Sequence, residues 1–122
     1  MSLKKLRQLR RQAFEKQNHL CYYCKLPMWE QDQQQFARGQ GVPARLVKYG
    51  RCTAEHLVAR KDGGRDLPEN IVAACLWCNA SRHRGRQHCA PDPTAYKTRV
   101  SQLVGQGIWH PVIASKLARA LT

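Results

Sequence analysis

Two Cys-x-x-Cys pairs, "CYYC" at Cys21 and Cys24 and "CLWC" at Cys75 and Cys78, constrain this 122-residue chain more than any other feature. Each pair can wrap two thiolates around one edge of a metal ion, and together they make the tetrahedral four-thiolate set that a structural zinc prefers. A chain this short encloses little interior, so a metal or disulfides would contribute a large share of its stability. Fifty residues separate Cys24 from Cys75, against about 15 to 20 in a common zinc ribbon. The staple would therefore close a loop that holds a substructure of its own. A redox role for one pair would need a thioredoxin-like alternation of strands and helices around it, which the sequence lacks. Paired disulfides and coincidence are the remaining readings. Cys52 reads as a small buried apolar residue, and Cys89, beside His88, is ambiguous.

The choice between metal and disulfide depends on compartment. The opening "MSLKKLRQLR" is charged but leads into no continuous apolar stretch, so it does not read as a secretory signal. No apolar run is long enough to span a bilayer. A reducing, cytoplasmic setting is the expectation, and cysteine pairs there are more often metal ligands. A secreted, basic disulfide protein is the rival. Lys and Arg number 21 against 8 Asp and Glu, for a net charge of +13. That excess would repel itself in a compact particle unless a polyanion relieved it, and nucleic acid is the first candidate. A solvated surface or an acidic membrane face is the alternative that charge alone leaves open.

Along the chain, the apolar spacing of Leu3, Leu6, Leu9, Ala13 and Phe14 predicts an amphipathic helix over residues 2–18. Its other face, with Lys4, Lys5, Arg10 and Arg11, is either solvated or a phosphate-contacting surface. Residues 30–50 are rich in Gln, Gly and Arg with no lasting period, and read as a long loop with a short strand near Arg45 to Tyr49. Thr53 to Ala59 reads as a strand, "KDGG" as a turn, and Asn70 to Ala74 as a second extended segment. A helix is expected from Trp77 to Arg84. Another should open on Asp92 and Pro93, turn Tyr96, Val100, Leu103 and Val104 inward, and stop at Gly105. A last helix is expected from Pro111 to Ala120. No internal repeat or second domain is evident.

Between and just after the knuckles stand Glu55, His56, Asn70, Asn79 and His83. Asn79 and His83 are four apart on the expected helix and share a face. With Glu55 arriving from the strand they would form an open site of oxygen and nitrogen ligands, leaving positions for water and substrate as a catalytic metal requires. His56, adjacent to that metal, could act as general base on a water. Taken singly, each residue has a plainer reading: Glu55 in a surface ion pair, His56 as a half-buried histidine, Asn79 as a helix cap, His83 in the basic run "RHRGR". Because neighbours in a regular strand face opposite ways, the joint reading requires the strand to end, twist or bulge at Glu55 and His56.

Together "CYYCKLPM", "TAEHLVARKDGG" and "LPENIVAACLWCNASRHRG" resemble an HNH endonuclease, over about half the chain and with a long middle insertion. The resemblance implies an α+β protein with a small ββα-metal (HNH, or His-Me finger) core at about 19–88, stapled by a four-cysteine zinc, with a basic N-terminal helix and C-terminal helices at 93–121, all one domain. It implies that Glu55 holds a catalytic divalent ion, with Asn79 and His83 matching the two helix positions from which members draw further ligands. His56 stands at the general base and Asn70 at the asparagine that ties the loop and orients it. The ion implied is Mg2+ or Mn2+, with Zn2+ or Ni2+ as alternatives. Double-stranded DNA is the implied partner, nicked or cut to 5′-phosphate and 3′-hydroxyl ends. Arg82, Arg84 and Arg86, with Lys4, Lys5, Arg10 and Arg11, would track its backbone. The competing expectation is a non-catalytic zinc module that binds nucleic acid.

Overall fold

The computed structural model describes residues 3–84 and 90–111. Arg86, His88, Cys89 and, beyond Pro111, the expected last helix fall outside the described residues. Among the described residues the elements are helix α1 (Leu3–Lys16), helix α2 (Gln33–Gln40), strand β1 (Cys52–His56), strand β2 (Ile71–Cys75), helix α3 (Leu76–His83) and helix α4 (Pro93–Gly105). The fold is small α+β, with a two-stranded antiparallel sheet leading directly into α3. No described helix is long and apolar enough to cross a membrane.

The β1–β2 ladder runs in unbroken register from Cys52 opposite Cys75 to His56 opposite Ile71. Two strands alone are marginal in water, so both outer edges need partners. On β2 the Gln17 side chain imitates a strand, donating to Ala73 O at 2.8 Å and accepting from Ala73 N at 2.9 Å. On β1 the partners come mostly from α3. Asn79 Nδ2 reaches Ala54 O at 3.4 Å and Arg82 Nη1 reaches His56 O at 3.2 Å. At its start, Cys52 N donates to Trp29 O at 2.8 Å. Gln17, just beyond the end of α1, and helix α3 thus satisfy the edges of the sheet. The core gathers Phe14 of α1, Tyr23 and Met28 near the first knuckle, Ala73 and Ala74 of β2, and Tyr96 and Val100 of α4 around the four knuckle cysteines.

Residues 30–50 correct the expectation of a long loop. Asp32 caps α2 by accepting from Gln35 N at 2.9 Å, and Gly41, at φ 65°, closes it in the left-handed conformation. Glutamine is a good helix former, but a helix of this length turns only Phe36 and Ala37 onto Trp29, Val42, Leu46 and Val47. Too few apolar residues repeat to reveal a period. The strand expected at Arg45 to Tyr49 is instead a 3-10 turn, Val47–Gly50. Elsewhere the differences are shifts of a residue or a few at element ends; β1 stops at His56 rather than Ala59.

The 57–70 connection turns on two glycines. Gly63 sits at φ 92°, and a Cβ on Gly64 would come within 1.7 Å of Val58 O, so neither position takes a side chain without moving the loop. Asn70 ties the same loop: its Oδ1 accepts from Val58 N at 2.8 Å, and its Nδ2 donates to Val58 O and Arg65 O, both at 3.0 Å.

Candidate active site and metal centre

Cys21, Cys24, Cys75 and Cys78 are all buried, and their sulfurs lie within 4.8 Å of one another. The knuckles arise locally. A reversal at Lys25, with φ 63°, returns Lys25 N to Cys21 O at 3.0 Å, while Cys75 caps α3 and its sulfur accepts from Cys78 N at 3.4 Å. Two further N–H groups aim at sulfur, Cys75 N at Cys21 (3.3 Å) and Trp109 Nε1 at Cys78 (3.4 Å). Such donors orient and tune metal-bound thiolates. Burial opposes ionisation of Cys21, but hydrogen bonds from the other three cysteines outweigh it and hold its thiol well below the ordinary value. Those same bonds to Cys21 push Cys75 and Cys78 up. Crowding lets one thiol ionise at its neighbours' expense, and a divalent cation is what would stabilise four thiolates together. The cluster can hold a zinc ion, closed on all sides as a structural site is. Cys52, outside it, is pushed up to about 12 by burial and then by Glu30, and stays a neutral core residue.

At the other end of β1, Glu55 is 2% exposed and fully engaged. Its Oε2 accepts from Tyr23 OH and Arg82 Nη1, both at 3.1 Å, and its Oε1 lies 3.2 Å from His83 Nε2. Burial, and after it the carboxylate, raises the Tyr23 phenol above its ordinary range, so Tyr23 remains a donor. Asn79 gives its amide hydrogens to Thr53 Oγ1 at 3.0 Å and Ala54 O, which leaves the amide oxygen as the ligand atom it can offer. Glu55 Oε1, Asn79 Oδ1 and His83 Nε2 are then the donors available to a catalytic ion, an oxygen-rich set with one imidazole. Leu6, Ala54, Glu55, His56, Ala59, Arg60, Asn79 and His83 line one open cleft of about 370 Å³.

The irregular strand expected at Glu55 and His56 is absent. The ladder is regular through both, Glu55 opposite Val72 and His56 opposite Ile71, and the two side chains meet different partners. They border the same cleft because, among the described residues, no third strand lies beside β1 and because β1 ends at His56. An edge position does what a bulge was expected to do.

Arg82 requires the largest correction. Read from sequence as tracking a nucleic-acid backbone, it is 4% exposed. Its guanidinium bonds Glu55, the carbonyls of His56 and Leu57, and Pro91 O at 2.9 Å. The "RHRGR" run could not reveal this, since helix phase decides which arginine faces the core. Arg10 pairs with Glu30 at 3.2 Å, with Arg11 at 3.9 Å from the same carboxylate. Lys4, Lys5 and Arg84 are exposed, Arg84 lying over the Trp77 ring. Sequence reasoning missed Tyr23 and also Asp66, 2% exposed, whose Oδ1 is 2.8 Å from His56 Nε2 and whose Oδ2 takes Arg60 Nη2 at 3.0 Å. The hydrogen bond from His56 holds the Asp66 carboxyl below its ordinary range against the opposing effect of burial, with help from Arg60. No spacing rule links Asp66 to His56. A second groove adjoins the cleft at Leu6 and Ala54 and is lined by Arg7, Arg10 and Arg51.

The ββα unit thus has a closed thiolate cluster at one end and an open cleft lined by acid, imidazole and amide groups at the other. The chain carries an HNH domain: residues 44–85 match the family model described as HNH endonuclease. The match spans β1, the connecting loop, β2 and α3, about a third of the chain. No curated protein and no solved structure matches the chain.

Proposed function

We propose that the chain is an endonuclease that hydrolyses phosphodiester bonds of double-stranded DNA with a divalent metal ion. The observation that carries this reading is the convergence of Glu55, His56, Asn79 and His83 on one open cleft within the HNH segment. Glu55, Asn79 and His83 would hold the ion, whose oxygen-rich donors suit Mg2+ or Mn2+ and whose imidazole also admits Zn2+ or Ni2+. When bound, it would neutralise charge on the phosphate and on the departing 3′ oxygen.

The protein's own groups do the rest. Arg82 and Tyr23 fix Glu55 so that one oxygen faces the cleft without having to reorient. His56, with its side chain 17% exposed, accepts the proton of the attacking water. Asn70 holds the loop beneath it. The charge of +13 supplies sequence-independent attraction to phosphate. Lys4, Lys5 and Arg84, with Arg7 and Arg51 of the adjoining groove, are exposed cations that could make backbone contacts, and such contacts position a duplex without reading it.

The test is plasmid nicking or linearisation across Mg2+, Mn2+, Zn2+ and Ni2+, comparing the parent with His56→Ala. The variant should lose about 10²- to 10⁴-fold in rate, the contribution of a positioned acid–base group, while zinc content and DNA binding persist. Undiminished cutting by the variant removes His56 from the role of base. A parent that binds DNA in a salt-sensitive way but cuts with no ion is a binding module.

A further inference from the structure

We infer that Asp66 is the positioning residue of the general base: it fixes the His56 ring in one tautomer and so assigns the proton-accepting role to Nδ1. The inference rests on the reading of His56 as base and adds which nitrogen works and what selects it.

Asp66 is as buried as Glu55, yet belongs to no metal-ligand set and to no regular element. It comes from the 57–70 loop, which Gly63, Gly64 and Asn70 hold in shape. An ionised carboxylate accepts hydrogen bonds and donates none. The 2.8 Å contact between Asp66 Oδ1 and His56 Nε2 therefore requires the proton on Nε2. In a neutral imidazole the other nitrogen is then the acceptor, and among the described residues no hydrogen bond occupies Nδ1. When Nδ1 takes a proton from water, the hydroxide oxygen bonds to phosphorus as the P–O3′ bond breaks, the departing 3′ oxygen takes a proton from solvent, and the imidazolium is left with its Nε2–H already facing a carboxylate. Arg60 holds the second Asp66 oxygen at 3.0 Å, which keeps the carboxylate from swinging away. The arrangement follows the logic of a carboxylate that orients a histidine base without taking its proton.

The experiment is nitrogen-15 spectroscopy of the histidine-labelled, zinc-loaded full chain at a pH where the ring is neutral, beside steady-state cleavage by Asp66→Asn. The parent should show His56 with Nε2 protonated and Nδ1 bare. The variant's amide can donate to Nε2 and favour the opposite tautomer. Its kcat should fall on the order of tenfold to a hundredfold, part of what a general base contributes, with KM for DNA unchanged within about twofold. A residue that only supported the loop would not move the tautomer or split kcat from KM. A bare Nε2 in the parent overturns the inference, as does a folded variant with parental kcat. If Asp66→Asn does not fold, the parent spectrum decides alone. Failure of the base reading shows separately, as full activity in His56→Ala whatever the tautomer.

Discussion

The two ends of one short hairpin lie four ladder steps apart, about 13 Å at the rise of a strand, and their chemistry is opposite. At the Cys52–Cys75 end, four soft sulfurs are sealed from water and neighbouring N–H groups point inward at them. At the His56–Ile71 end, oxygen and nitrogen donors border an open cleft, and a buried arginine balances the one buried carboxylate of the donor set. The first end can hold an ion only by enclosing it. On the function proposed above, the second would hold one and still admit water and a phosphate. The same ladder keeps the two in fixed relation, so closure at one end lets the other remain open without losing its shape.

This contrast is broken most severely at the thiolate end. Chelation, or Cys78→Ser, should abolish cooperative folding, because the apparent energy of a structural zinc, about 10–16 kcal/mol, is comparable with or larger than the whole stability of a domain, about 5–15 kcal/mol. Zinc content with thermal melting by circular dichroism checks it, and an unchanged melt after complete zinc removal would falsify the staple. A smaller effect is expected at the cleft. Arg82→Met leaves Glu55 buried without its cation and should cost about 3–5 kcal/mol, whereas Arg84→Ala, on the exposed side of the same helix end, should cost under about 1 kcal/mol. Equal losses in denaturant titrations of the two would mean that Arg82 is not the partner of Glu55.

The smallest effect concerns pH. Burial depresses His110 to about 4, below the ordinary histidine value of about 6.5. Between those values the unfolded chain binds the extra proton, so stability is lost as pH falls through that window, by at most about 1.4 kcal/mol per pH unit. The parent should lose more stability than His110→Leu between pH 6.5 and 5, and parallel slopes would show that His110 is not buried in its neutral form.

Legibility in the sequence followed how local each signal is. The cysteine pairs, the Asp92–Pro93 helix start and the Gly63–Gly64 turn each depend on a few adjacent residues, so their spacing alone locates them. The α2 helix escaped because its caps, Asp32 and Gly41, carry the signal that its apolar residues are too few to give. The roles of Arg82 and Asp66 escaped for another reason: each is defined by a partner far along the chain, Glu55 for one and His56 for the other, and no periodicity connects them.

By itself the sequence determined which donor groups each end offers, since thiols in pairs and an acid beside a histidine are properties of residue type and spacing. It also determined the ββα order and the excess of positive charge. Only the tertiary structure decided how Glu55 and His56 share a cleft on a regular strand, which arginine is buried, and which carboxylate meets the histidine. Those depend on where the sheet ends and which helix face turns inward, and long-range packing sets both.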